Sequence, residues 1–158
     1  MDGNKALIEK FYTAFQQKDV QAMQNCYADN AVFNDPVFSN LNAEQVRAMW
    51  AMLIKSGKDM RVEFKNITGT SSGGTAEWIA YYTFSATGNK VINRIKASFF
   101  IENGKIVRHT DRFSFYKWAS QSLGLTGILL GWTGLLRNKI SSKAKNNLEV
   151  YMLARQAG

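Results

Sequence analysis

Cysteine, proline and histidine are nearly missing from this chain of 158 residues, which carries one of each. The lone Cys26 excludes an intrachain disulfide and favours a reducing, cytoplasmic compartment. Beside Met23 and Tyr27 in a predicted helix, it reads as a buried structural thiol. With one His and one Cys, a tetrahedral zinc site would need carboxylates throughout, so no metal is expected. No Gly-x-Gly-x-x-Gly stretch or phosphate loop occurs, and no cofactor is expected. A Gly-x-Ser-x-Gly elbow is also missing, and Cys26 has no basic neighbour in sequence to activate it. Long apolar runs are lacking too. The longest weakly polar stretch, Leu123 to Leu136, has 14 residues. It reaches about 21 Å, short of a hydrocarbon core of about 30 Å. The opening Met-Asp-Gly-Asn-Lys lacks the positive start and apolar run of a signal peptide.

Acidic residues are scarce in the second half. Residues 1–88 hold eight Lys/Arg and nine Asp/Glu, whereas residues 89–158 hold twelve and three. A basic half can attract nucleic acid, anionic lipid or an acidic ligand. No nucleic-acid motif accompanies the charge, so a solvated surface is the favoured reading and no nucleic acid is expected.

What is present is an apolar chain, 46% hydrophobic and 13% aromatic, long enough to bury a core without disulfides. Leu7, Ile8, Phe11 and Phe15 recur at helical spacing and predict a helix over 4–17. Asp19 is placed to cap a second, short helix. Ala31-Val32-Phe33 reads as extended and ends at the Asp35-Pro36 turn. Asn42 starts a third helix, with Gln45 placed for a capping box and Gly57 to stop it. The period then changes to two. Val62 and Phe64 alternate with charges. Ser71-Ser72-Gly73-Gly74 marks a turn. Trp78, Ala80, Tyr82 and Phe84 share one face, as do Ile95, Ala97, Phe99 and Ile101. Asn103-Gly104 is a two-residue hairpin signal. The last strand, 105–115, puts Val107, His109, Asp111, Phe113 and Phe115 on one side. Helices followed by consecutive hairpins give an α+β chain with an antiparallel meander. Ser141 or Ser142 is placed to cap a final helix bearing Ala144, Leu148 and Tyr151. The expected organisation is a cone domain over 1–116 and a helical extension over 117–158.

The string from Tyr27 through Asn34-Asp35-Pro36-Val37-Phe38, and the ending Asn103-Gly-Lys-Ile-Val-Arg-His109-Thr-Asp111-Arg-Phe113, resemble the nuclear transport factor 2-like superfamily. That superfamily includes ketosteroid isomerases, SnoaL-like polyketide cyclases and limonene-epoxide hydrolases. The resemblance covers roughly residues 4–115, and the Trp/Gly-rich tail resembles an extension found in one branch. It implies a curved antiparallel sheet folded over three helices into a conical pocket, a homodimer, and a small apolar organic ligand. Asp35 falls where the isomerases carry a general base. Their two oxyanion donors, a tyrosine and a protonated aspartate, fall on Phe11 and Ala97, with Tyr12 next door. Steroid isomerisation is therefore disfavoured. Asp111 matches one aspartate of the epoxide hydrolases and is the nearest match to the acid/base aspartate of the cyclases. The hydrolases' Arg-x-Asp is broken at Lys96.

From the residues themselves, His109 and Asp111 leave one strand face about 6.5–7 Å apart. A carboxylate in an apolar wall is poorly solvated, and an imidazole beside it suits proton transfer on a small ligand. The competing reading is a buried polar pair that satisfies itself. Asp35 has a turn reading as well as a catalytic one, because Asp before Pro bonds nearby backbone. Tyr12, Trp50, Trp78, Tyr82, Phe99 and Phe113 are the expected ligand-lining residues, and Arg94 is expected in solvent. Three functions follow: a cofactor-independent isomerase, cyclase or epoxide hydrolase; a non-catalytic ligand-binding or dimeric scaffold domain; and, less favoured, a membrane-surface protein using its basic tail. For the tail, a lid or a dimer arm that packs Trp118, Leu125, Leu129 and Trp132 against the same domain or a dimer partner is favoured over a membrane-surface element, since each of its glycines weakens a free helix by up to about 1 kcal/mol.

Overall fold

The stripe Leu7, Ile8, Phe11, Phe15 builds the first helix, α1 (Asp2–Gln16), in the computed structural model, which describes residues 2–157. Residues 1 and 158, the outer ends of the two expected segments, lie outside the described residues. The Asp19 carboxylate accepts from the Ala22 amide and opens α2 (Val20–Gln24). Strands β1 (Tyr27–Asn34) and β2 (Leu41–Asn42) flank the Asp35-Pro36 turn. Asn42 and Gln45 form the expected capping box of α3 (Ala43–Ser56), with both bonds at 2.9 Å. Gly57 ends that helix.

Four long strands follow: β3 (Arg61–Gly69), β4 (Gly73–Phe84), β5 (Asn89–Glu102) and β6 (Lys105–Arg112). They form the expected antiparallel meander in a six-stranded sheet ordered β2-β1-β6-β5-β4-β3. Asn103 and Gly104 have φ of 51° and 73°, the positive pair a tight hairpin between β5 and β6 requires. The sheet gains one pairing the periodicity did not show. β1 runs from Tyr27, longer than the three residues expected, and lies parallel to β6, which makes β6 an interior strand.

Three local expectations are corrected. Gly73 and Gly74 lie in β4, not in the turn before it. A Cβ on Gly73 would stand 1.8 Å from the Phe99 carbonyl oxygen, so glycine is required there by close backbone approach. Gly73→Ala should cost about 1–3 kcal/mol of stability, as overpacking against backbone does, and urea titration would measure it. The last strand stops at Arg112 rather than 115, because the Ser114 hydroxyl accepts from the Lys117 amide and starts α4 (Phe115–Leu123). After α5 (Leu125–Leu130), the final helix α6 (Gly134–Ala157) begins well before Ser141. The Thr133 hydroxyl accepts from the Leu136 amide there, and the Leu-Leu-Arg run carries good helix formers past Ser141 and Ser142.

The main core lies between the concave face of the sheet and α1 and α3, with Leu148 of α6 closing one side. A second, smaller cluster joins Val91 to Phe115, Trp118 and Ala119 of α4. Arg94 faces solvent, as expected. In the tail, Trp118 packs as expected, but the Leu125, Leu129 and Trp132 side chains remain mostly exposed and do not pack against the domain.

Candidate functional site

β6 carries the two polar residues of the concave face. Its register puts His109 between Phe33 of β1 and Phe99 of β5, and Asp111 opposite Ala97. Both side chains are driven inward by the two-residue period that also buries Ile95, Ala97 and Phe99 on the facing strand β5, while Ile106 is buried out of that phase, across the register shift at Phe100/Ile101. His109 is 0% exposed and Asp111 3%. His109 Nε2 lies 2.9 Å from Asp111 Oδ1, so the two side chains bond directly.

The pair is the end of a longer chain of hydrogen bonds. Trp50 Nε1 on α3 donates to the Tyr27 hydroxyl at 2.8 Å, and that hydroxyl lies 2.8 Å from His109 Nδ1. Since the Tyr27 oxygen already accepts from Trp50, its own proton is free for His109 Nδ1. Nε2 then carries the imidazole proton and donates it to Asp111. This direction satisfies each donor in the chain, whereas the reverse leaves the Tyr27 proton without an acceptor. Trp78 Nε1 adds a weak donor to the same carboxylate oxygen at 3.4 Å.

Aromatic rings enclose this chain. The Phe99 and Phe33 rings lie 4.3 and 5.0 Å from the imidazole centre, and Phe11 lies at 5.7 Å. The Trp50 and Tyr27 rings lie roughly parallel to it, with centres 6.2 and 6.1 Å away. Rings therefore fill the interior around His109. Two hollows lie away from it. One of about 470 Å³ is on the outer face of the sheet by Thr75, Lys96 and Arg112, and one of about 300 Å³ is between α3 and α6 by Arg47 and Met152.

Asp35 reaches the same region from the turn after β1. Its Oδ1 accepts from the Val37 and Phe38 amides at 2.7 and 2.6 Å, the turn geometry that Asp before Pro favours. The carboxyl is nonetheless perturbed. Burial, partly offset by the Phe38 amide and then reinforced by the Asp111 charge, raises its pKa from 3.8 to about 6. The turn and pocket readings of this residue are compatible, because one oxygen serves the backbone while the group as a whole sits in poorly solvated surroundings.

That shift has a consequence for stability. The native state holds the Asp35 proton more tightly than the unfolded chain, so stability is complete below about pH 4 and falls as pH rises to about 6. Asp35→Asn keeps an oxygen for both amides and removes the charge. It should stabilise the protein by about 1–3 kcal/mol above pH 7 and by nothing below pH 4, as read from urea titrations at both pH values.

Tyr12 stands on α1 with its ring against Phe64, Trp78 and Phe99. Its hydroxyl is buried and has no hydrogen-bond partner among the described residues. Burial first, and then the charge of Asp111, push its pKa well above 10. A one-residue offset from Phe11 does not turn it away, because both rings are fully buried at the helix–sheet interface.

The structure thus brings His109, Asp111, Tyr12, Trp50, Trp78 and Phe99 together, with Asp35 at their edge. Tyr82 and Phe113 are placed differently. Both sit where the two core clusters meet, and the Tyr82 hydroxyl accepts from Trp118 Nε1 at 2.7 Å. Phe113 lies beyond the end of β6 and so leaves the alternation that aligned it with Asp111. Sequence reasoning missed Tyr27 as a polar member of the site. The only signal for it was its position at the head of the string leading to Asp35. Its partner is 82 residues away across the parallel β1–β6 pairing. Among the described residues, no group of three His, Cys, Asp or Glu is arranged to hold a metal ion.

The SnoaL-like domain family matches residues 8–109 of this chain. No curated protein matches it. Among solved structures, IdmH, a candidate polyketide cyclase from Streptomyces antibioticus, is similar with a TM-score of 0.64 and 20% identity, over 76% of this chain and 97% of its own. A candidate polyketide cyclase from Xanthomonas campestris pv. campestris gives 0.63 and 17%, over 76% and 96%. An LEH-like epoxide hydrolase from M. tuberculosis gives 0.62 and 17%, over 86% and 96%. At these identities the likeness is one of fold.

Proposed function

This chain belongs to the SnoaL-like domain family, and from that premise we propose that it is a cofactor-independent acid/base enzyme acting on a small, mainly apolar organic molecule with a carbonyl, enol or epoxide oxygen. Asp111 accepts or donates the proton. His109 positions it and holds its charge. Asp35 is the second acid/base group, and the buried Tyr12 hydroxyl is a free donor for the ligand oxygen. The observation that carries the reading is the 2.9 Å bond between an imidazole and a carboxylate inside a wall of aromatic rings. A carboxylate held in place beside an imidazole, at a site lined by rings, is positioned for proton transfer to or from a bound ligand.

The structural neighbours are candidate polyketide cyclases and an LEH-like epoxide hydrolase; polyketides and epoxides are oxygen-bearing molecules, which fits these groups. Asp35 is half-buried while the pair behind it is not exposed. It therefore marks the side from which a ligand enters, by displacing rings such as Phe11 or Phe33. In the same reading the chain is a cytoplasmic homodimer, with residues 117–158 an extension of the domain.

One observation favours the non-catalytic alternative: the rings already touch around His109, as in a scaffold domain whose polar pair satisfies itself. The two readings separate in heavy water. The enzyme should speed deuterium exchange at the α-carbon of a small aromatic 1,3-diketone at least about 100-fold over buffer, as a positioned base does. Exchange no faster than buffer, with saturable binding of the same diketone, leaves a binding protein. Neither exchange nor binding leaves the scaffold.

A further inference from the structure

Exposed apolar side chains gather beside a basic stretch of the chain. Leu125, Ile128 and Leu129 of α5, Trp132 in the following turn, and Leu135 at the start of α6 are each at least half exposed; Trp132 reaches 76% and Leu135 82%. They lie within eleven residues of the chain, on α5, the turn after it and the start of α6. Rigidity comes from below. A Cβ on Gly127 would stand 1.9 Å from the Ala119 carbonyl oxygen, so α5 lies directly on α4 and presents its other side outward. The Tyr116 hydroxyl donates to the Ile128 carbonyl, tying the two helices. The Trp132 indole N–H is already satisfied by the Leu129 carbonyl at 3.0 Å, so its exposed ring offers apolar area and no unmet donor.

The charge beside it has one sign. From Arg112 to Leu148 the chain carries Arg112, Lys117, Arg137, Lys139, Lys143 and Lys145 and no Asp or Glu. Leu135, Lys139 and Lys143 stand one turn apart along α6, so the apolar patch passes directly into a row of ammonium groups. Arg137 lies over the Phe115 ring at its base.

We propose that this patch docks onto an anionic lipid surface, with Trp132, Leu129 and Leu135 entering the interfacial region and Lys139 and Lys143 meeting the headgroups. An apolar tip with cations behind it matches the layering of such a surface. Charge also argues against a second copy. A two-fold contact through the patch would set Arg137, Lys139 and Lys143 against their own copies with no carboxylate in the segment to relieve them. No helix among the described residues is long and apolar enough to cross a membrane, so the contact is with the surface. The inference does not depend on the acid/base reading.

The test is co-sedimentation of the full chain with vesicles of two parts phosphatidylcholine to one part phosphatidylserine, and with phosphatidylcholine alone. Binding is expected to the mixed vesicles, little to the neutral ones, and loss in half-molar sodium chloride. Trp132→Ser should weaken it about tenfold or more. Lys139→Gln and Lys143→Gln should each weaken it about fivefold. All three side chains are exposed, so the variants should keep the wild-type circular dichroism spectrum. The proposal is overturned by the absence of salt-sensitive binding to the mixed vesicles, or by binding that none of these substitutions weakens. It is also overturned if sedimentation shows a dimer that Trp132→Ser dissociates, since a second copy then covers the patch.

Discussion

Asp111→Asn should slow the deuterium exchange of the diketone about 100- to 10,000-fold while leaving the protein folded. The reason the fold survives lies in the direction of the hydrogen bonds. His109 Nε2–H and Trp78 Nε1–H both point at Asp111 Oδ1, and an asparagine oxygen accepts both. What disappears is the basic oxygen. A carboxylate takes a proton from carbon, whereas an amide does not at neutral pH. Diketone affinity should change little, because the ring walls and the Tyr12 hydroxyl are untouched. Measured together, exchange rate and binding constant separate chemistry from binding. Equal exchange by the two proteins would remove Asp111 from the chemistry. Combining it with Asp35→Asn distinguishes one base from two. If Asp35 serves a later proton transfer, its single variant slows product formation but not the exchange step.

The second large effect belongs to Trp50. This side chain is 2% exposed, packs against Phe11, Phe15, Phe33 and Trp78, and lies roughly parallel to the His109 ring. It also supplies the N–H that fixes the direction of the Tyr27–His109–Asp111 chain. Trp50→Ala should cost about 3–5 kcal/mol, from lost burial plus the cavity left behind. For a chain of this length that lowers the melting temperature by roughly 10 °C. Trp50→Phe should cost about 1–2 kcal/mol, chiefly the lost bond to the buried Tyr27 hydroxyl. The hollow made by the alanine is lined by rings and stays dry, so added indole should bind it and recover part of the melting temperature. A loss below about 1 kcal/mol for Trp50→Ala would mean that the interior is not packed shut around His109.

Local chemistry made much of the architecture legible. Asn42 and Gln45 specify the start of α3 through two reciprocal side-chain bonds, and Asn103-Gly104 specifies the last hairpin through positive φ. Both depend on residues within a few positions of each other, so sequence carries them. The alternation in β4, in β5 and around His109 and Asp111 likewise fixes which residues face inward, but at the start of β6 Ile106 is buried rather than Val107, because the pairing with β5 shifts register there. Errors came where the deciding contact is distant or where two local signals compete. Gly73 and Gly74 look like turn residues, but their role is set by the Phe99 carbonyl on the neighbouring strand. Ser141 and Ser142 look like caps, but Thr133 and the Leu-Leu-Arg run start the helix earlier. Phe113 and Phe115 continue the period of β6 on paper, yet Ser114 ends the strand between them.

Local pattern in the chain was enough to read helices followed by an antiparallel meander with His109 and Asp111 on one inward strand face, because a period of two and the turn residues around it leave a strand no other way to bury its apolar side; the cone came from the family resemblance. Tertiary structure alone decided that Tyr27 and Trp50 complete the hydrogen-bond chain, that rings close around it, that Tyr82 and Phe113 stand apart from it, and that Trp132 stays in the open. Those outcomes depend on the parallel pairing of β1 with β6 and on how α4 and α5 lie together. Such contacts join residues far apart in the chain, and no local periodicity encodes them.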